Sequence, residues 1–205
     1  MAHTLVSGAA IGADQCWQDA AQLAGHQIVN YIFEAPLFRD RRNSVILTDE
    51  QLAVGHAYVL EANYYLKRRY PTSAQLSDRL LQRNYYQIAH ASSIYAVGYL
   101  DGSKGLGIHR GTAWAVTMFW LKCRRDQNIL TTNTAELATF NQVNYPIYFF
   151  DQGQYNVWLQ LVGLSDTNYQ WHRCIPSKPT GIYTGIGSRD LTSSGRLAIE
   201  SLLSQ

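Results

Sequence analysis

Ser7-Gly8-Ala9-Ala10-Ile11-Gly12-Ala13-Asp14 follows the short apolar run Thr4-Leu5-Val6. Small residues directly after a strand let backbone N–H groups turn toward a ligand. A helical pattern follows at once. Ala13, Trp17, Ala20, Ala21 and Ala24 recur at spacings of three and four, which places them on one face. Asp14 stands where an N-cap belongs, and Gly25 where a C-terminal glycine belongs. Gln27 to Phe33 then reads as a second strand. Strand, small-residue loop, helix and strand make one βαβ unit, which needs a parallel sheet with helices on its faces.

The same grammar returns at the other end of the chain. Ile182-Tyr183-Thr184 reads as a strand and Gly185-Ile186-Gly187-Ser188-Arg189 as a glycine loop. A last helix, capped by Asp190 or Thr192, has Leu191, Gly195, Ala198, Ile199 and Leu202 on its apolar face. The chain ends on a strand–helix unit without a following strand and begins on a strand without a preceding helix. The expectation is that the strand at 182–185 lies centrally and runs parallel to the strand at 4–7.

Between these ends, Glu34 to Leu47 shows no clean period and reads as a loop. Thr48-Asp49-Glu50-Gln51 fits a capping box. The helix it opens carries Leu52, Gly55, His56, Val59, Asn63 and Leu66 on one face and is stopped by Pro71. Leu76 to Ala91 is a second helical stretch, with Leu80, Leu81, Asn84, Ile88 and Ala91 inward. Ser93 to Tyr99 is nearly all apolar, as a strand covered on both faces must be. Asp101 to Gly107 reads as a flexible loop, and Arg110-Gly111-Thr112 opens a helix with Val116, Phe119, Trp120 and Cys123 as its stripe. Pro146 to Phe150 is a strand. Residues 124–144 and 153–180 read as insertions, the second irregular. The whole of 1–205 is expected to be a single α/β domain.

Composition narrows the function classes. The chain is 46% hydrophobic and 16% charged, which is globular. A net charge of +2 gives no broad footprint for nucleic acid. The clusters Arg39 to Arg42, Lys67 to Arg69 and Lys122 to Arg125 read as solvated faces or helix ends. Three cysteines, Cys16, Cys123 and Cys174, lack metal-ligand spacing and read as free thiols. No apolar run reaches the roughly 18 residues a membrane span needs, and the N-terminus lacks a leader pattern. The expectation is a cytoplasmic protein with no metal and no cofactor.

The chemistry belongs to three strand-to-helix loops, 7–14, 109–112 and 185–190. In parallel sheets such loops gather at one edge, where helix N-termini favour anions. Candidate ligand contacts are Ser7, Gly8, Ala9, Gly12 and Asp14 in the first loop and His109, Gly111 and Thr112 in the second. Gly185, Gly187, Ser188 and Arg189 stand in the third, and Arg83 or Asn84 should reach the rim from a neighbouring helix. Arg189 is a planar donor fork suited to phosphate or carboxylate. No loop is a Walker loop, and none carries the full dinucleotide fingerprint. His26, His56 and His90 lie on or beside helices and read as packing or capping groups. The tyrosine pairs at 64–65 and 85–86 read as packing.

Residues 7–14 resemble the SGGAxGAD loop of the SLOG superfamily, which includes the DprA-type and LOG-type Rossmannoid proteins. Tyr183 to Arg189 resembles the YAGIGSR strand-loop that normally opens that fold. Arg83-Asn84, the strand at 94–99 and the Gly111-Thr112 helix start resemble its central region. The resemblance implies a Rossmann-like three-layer sandwich with a mostly parallel sheet. It also implies a circular permutation, because the usual first strand–helix unit stands last, an arrangement similar to uncharacterised phage and bacterial proteins. Position 9 is Ala where the pattern has Gly.

The resemblance further implies a nucleotide or nucleotide-derived signalling molecule, such as a nucleoside phosphate or an ADP-ribose-like compound, held by a sensor or sequestering protein. LOG-type phosphoribohydrolases carry PGGxGTxxE, whose Glu serves chemistry at the ribose. Here Ile108-His109-Arg110-Gly111-Thr112-Ala113-Trp114-Ala115 keeps Gly-Thr and lacks the acidic residue. Cleavage of an N-glycosidic bond is therefore the second reading. Asp14 would be its carboxylate, or Asp151, although Asp14 reads first as an N-cap and Asp151 first as a strand-end turn residue. Single-stranded DNA binding is a third reading, disfavoured by charge. Related folds pair into dimers through helices, so a homo-oligomer is implied.

Overall fold

The computed structural model describes residues 2–38, 41–103, 105–126, 144–165 and 168–204. An eight-stranded, mostly parallel sheet organises them, and five helices lie among the described residues. The chain begins with β1 (Thr4–Ser7), α1 (Ala13–Leu23) and β2 (Gln27–Ile32), the expected βαβ unit. Helix α1 ends in a Schellman turn. Gly25 N–H donates to Gln22 O and His26 N–H to Ala21 O, with Gly25 at φ 73°. Strand β3 (Ser44–Ile46) follows, then α2 (Asp49–Leu66) and α3 (Gln75–Ile88). The capping box of α2 is complete: Thr48 and Gln51 each bond the other's backbone N–H. The helix stops at Leu66, where Lys67 turns left-handed at φ 46°, so Pro71 is not its terminator.

Strand β4 (Ser93–Gly98) leads through a small antiparallel pair, β5 (Leu100–Ser103) and β6 (Gly107–Ile108), to α4 (Thr112–Asp126). Then come β7 (Asn144–Asp151), β8 (Val157–Ser165), β9 (Asn168–Arg173), β10 (Ile182–Gly187) and α5 (Ser193–Ser204). Thr192 caps α5, its hydroxyl accepting from Gly195 N–H at 3.1 Å.

Strand order is β3-β2-β1-β10-β4-β7-β8-β9. Pairing is parallel from β3 to β7 and antiparallel for β7-β8 and β8-β9. The last strand in sequence is thus central, in register with β1 from Thr4↔Ile182 to Val6↔Thr184. Alternation along the central strands sorts the core into two layers. Leu5, Tyr95, Val97, Tyr148, Phe150 and Tyr183 pack with Trp17 of α1 and with Ile199, Leu202 and Leu203 of α5. Ile94, Ala96, Ile147, Phe149 and Ile186 face Val59, Leu66, Ile88, Val116 and Phe119 of α2, α3 and α4. Helices therefore cover both faces.

Several expectations are corrected. Residues 34–47 contain the edge strand β3, and the expected loop at 101–107 holds most of β5 and the start of β6, which pair antiparallel. The stretch 153–180 is not irregular throughout, since β8 and β9 extend the sheet as an antiparallel hairpin. Its apolar residues earn burial at the edge, with Leu159 and Leu161 turned into the sheet's cover. Helix α4 continues to Asp126, and the rest of the expected 124–144 insertion up to residue 143 lies outside the described residues, as do Arg39 and Asp40. Asp14 is not the N-cap of α1. Gly12 holds that place with no side-chain cap, and Asp14 sits one residue inside the helix. Gly185 and Gly187 belong to β10 itself, so the glycine loop shortens to its last residues. Among the described residues no helix is long and apolar enough to cross a membrane.

Candidate functional site

Strands β1, β10 and β4 are parallel neighbours, so their carboxyl ends share one edge. The chain leaves β10 toward the α1/α5 face and β4 toward the α2/α3/α4 face. Divergent exits of this kind open a crevice in a parallel sheet. A cavity of about 920 Å³ lies there, within the size range of small-molecule sites. Ala10, Ile11 and Asp14 reach it from the first loop, His109 to Thr112 from the second and Gly187 to Asp190 from the third. The three loops converge.

Not every expected contact faces this space. Ser7 is fully buried, and its hydroxyl donates to Gly185 O at 2.7 Å. Gly185 lies against Trp17, and Ala9 is buried at φ 52°. Gly12 sits at φ +100°, where a Cβ would also stand 2.3 Å from Arg189 O; it shapes the loop from behind. Gly8 does the same for the floor. A Cβ there would stand 1.5 Å from an Arg83 guanidinium nitrogen and 2.7 Å from Gln87 Nε2. The missing side chain is the space that Arg83 fills.

Arg83 is therefore a buried clamp rather than a rim group. It is 5% exposed, donates to Gly8 O and to Tyr31 O, and pairs with Asp14 across 3.6 Å. Its Nε has no partner among the described residues, and neither does Gln87 Nε2. Both side chains line the cavity, as does the largely buried Asn84, whose amide makes no hydrogen bond with a described residue. Burial pushes the Asp14 carboxyl above its ordinary value. The Arg83 charge and the backbone N–H groups of Ala10 and Gly187 pull it back down. Burial also lowers the Arg83 pKa, opposed by Asp14, but a guanidinium stays charged.

The second loop is held from outside. Arg68 donates to Arg110 O at 2.7 Å and to Ile108 O at 2.6 Å, fixing the turn that presents Gly111 and the start of α4. His109 Nδ1 meets the Asp101 carboxylate, and Arg110 pairs with Asp190 at 3.1 Å. Ser188 Oγ accepts from Asp190 N–H, so part of its capacity is spent. Thr112 Oγ1, Arg69 and Arg189 make no hydrogen bond or ion pair with a described residue, and all three border the cavity. Leu37, Leu76, Leu80 and Trp114 form an apolar wall. The site thus combines a polar buried floor, an apolar wall and two uncommitted guanidinium groups at its mouth.

Sequence reading missed Arg68, Arg69 and the apolar wall, and it included Arg110 only as part of the second loop. Lys67 to Arg69 looked like a helix end, and only the fold brings that end to the second loop. Asp151, the other candidate carboxylate, accepts from the N–H groups of Leu100, Gly153 and Tyr155 and does not line the cavity. It is a turn-holding residue. No group of His, Cys, Asp and Glu among the described residues could hold a metal ion. The chain matches no family model, and neither a curated protein nor a solved structure matches it.

Proposed function

We propose that this cavity binds a phosphorylated nucleotide or nucleotide-derived small molecule, as a sensor or sequestering site. The observation that carries the reading is the meeting of three strand-to-helix turns around one cavity with Arg69 and Arg189 uncommitted at its mouth. The start of α4 at Gly111 and Thr112 offers backbone N–H groups and a hydroxyl to an anionic oxygen. Arg189 and Arg69 reach the same anion as charged donors. The wall of Leu37, Leu76, Leu80 and Trp114 suits a flat apolar ring, and the amides of Asn84 and Gln87 suit its polar edge or sugar hydroxyls. The first loop contributes differently. Asp14 already occupies the N–H groups of Ala10 and Gly187, so the α1 terminus presents a carboxylate instead of an anion hole.

That carboxylate supports the second reading, hydrolysis of a nucleotide N-glycosidic bond. A buried carboxyl with a raised pKa inside a cavity is a candidate acid–base group. The first reading is preferred because no acidic residue follows Gly111-Thr112, where an oxocarbenium-like centre would need one. We read the order of elements as a circular permutation of the SLOG arrangement; β10, last in sequence, lies between β1 and β4.

Calorimetry with nucleoside monophosphates, cyclic nucleotides and ADP-ribose, each mixture then analysed for free base, tests both readings. Saturable binding without base release is expected. Binding with steady base release that Asp14→Asn abolishes makes the protein an enzyme. No binding to any of these compounds removes the nucleotide reading.

A further inference from the structure

Helix α2 is unlike a surface helix. Leu52, Gly55, Val59, Ala62 and Leu66 face the core, yet the opposite side is apolar too. Ala53 and Ala57 are exposed there, beside Val54 at 50%, Leu60 at 47% and Tyr64 at 72% exposure. Glu61 on this side is taken by Arg125 of α4, so the outward face keeps far more apolar surface than a helix facing only water carries. The outward residues also have a period. Glu50, Ala53, Ala57, Leu60, Tyr64 and Lys67 are spaced by three, four, three, four and three, the seam of a heptad repeat. At 100° per residue Ala57 lies opposite the centre of the buried stripe, and the other helical seam residues flank it.

We propose that this seam joins two copies of the chain, with the two α2 helices antiparallel about a twofold axis between Ala57 and Leu60. That order sets Ala57 against Leu60 of the second copy, Ala53 against its Tyr64 and Glu50 against its Lys67, each pair occurring twice. Every small residue meets a large one, and both charges meet their opposites. Glu50 and Lys67 make no ion pair with any described residue of their own chain. Parallel pairing would instead set Glu50 on Glu50, Tyr64 on Tyr64 and Lys67 on Lys67, with like charges opposed at both ends. An isologous contact needs a patch complementary to itself, and this sequence of six positions is. The seam runs into Arg68 and Arg69 at its carboxyl end, so the two ligand cavities would lie at opposite ends of a paired helix roughly 27 Å long. The inference does not rest on what the cavities bind.

Sedimentation equilibrium of the full chain across a wide concentration range, at low salt, is the test. A concentration-dependent dimer is expected, and Leu60→Asp should leave only monomer. Glu50→Lys and Lys67→Glu should each weaken dimerisation about five- to thirtyfold, since each replaces two opposite-charge pairs by two like-charge pairs. The double variant should return to within a few-fold of the unaltered chain. All three positions are exposed, and circular dichroism checks that each of the four variants folds. A monomer at every concentration overturns the proposal. So does a dimer indifferent to Leu60→Asp, or one in which the double charge swap is no better than the single ones.

Discussion

Replacing Arg83 by Met tests whether the floor of the cavity is built as described. Met keeps most of the length and apolar bulk but removes the charge and the donors. Three losses follow. The bonds to Gly8 O and Tyr31 O disappear, and Asp14, 5% exposed, keeps a buried carboxylate without its cation. Removing one partner of a buried pair costs about 3–5 kcal/mol. In a chain of this size that lowers Tm by roughly 6–20 °C. The pH dependence separates the parts. Burial already raises the Asp14 pKa above 3.8, and Arg83 is the largest influence holding it down. Without Arg83 the folded-state pKa climbs further, so the folded state holds a proton that the unfolded state has released. Stability then falls as pH rises from about 3.8 through the raised folded value, and the variant is least handicapped in acid. Adding Asp14→Asn should remove that slope and recover part of the loss, with a coupling energy of about 1–3 kcal/mol. Urea titrations at several pH values on the four proteins of the cycle measure it. A cost under about 1 kcal/mol, or a loss with the same value at every pH and no rescue by Asp14→Asn, would refute the clamp.

Gly8→Ala should destabilise by about 1–3 kcal/mol, because its methyl group displaces Arg83 and Gln87. Gly111→Ala, whose added Cβ meets nothing within 4 Å, should stay within about 0.5 kcal/mol; equal effects in urea titration would contradict the packing described. Arg189→Ala should leave Tm unchanged and weaken nucleotide binding by about 1.5–3 kcal/mol in calorimetry. His26 bonds Tyr183 through Nδ1 at 2.8 Å, and burial, His3 and Lys178 lower its pKa below 6.5. Its contribution is present above 6.5 and lost as pH falls through the lowered folded value, so His26→Gln should flatten acid destabilisation there. Cys16 and Cys123 are buried with thiols pushed up to about 11 and about 12, so a thiol reagent at neutral pH should label both slowly until the protein is unfolded.

Much of the architecture was legible because its signals are local. The period of Ala13, Trp17, Ala20 and Ala21 and the Gly25 stop mark α1 within a dozen residues, and Thr48 with Gln51 marks the start of α2. The antiparallel extension was less visible, although its signal exists. Leu159 and Leu161 alternate with Gln160 and Val162, and Tyr169 with Trp171, but the Gly and Asn residues nearby gave the stretch a loop-like composition. The three ligand loops were found as loops. Their division of labour was not. Ser7 and Gly185 spend themselves on each other, and Gly8 serves Arg83. Lys67-Arg68-Arg69 looked solvated until the fold placed Arg68 against the carbonyls at 108 and 110.

The five described helices, the parallel strands β1, β2, β4, β7 and β10 and the pairing of β1 with β10 follow from the sequence alone, because neighbouring residues determine period, capping and turn. Which polar groups are buried together does not. Arg83 and Asp14 are 69 positions apart, and nothing near either one announces the other. Their pairing is decided by desolvation: once β1, β10 and α3 close over that volume, a charge left alone inside costs several kcal/mol, and only the packed structure determines which opposite charge is within reach.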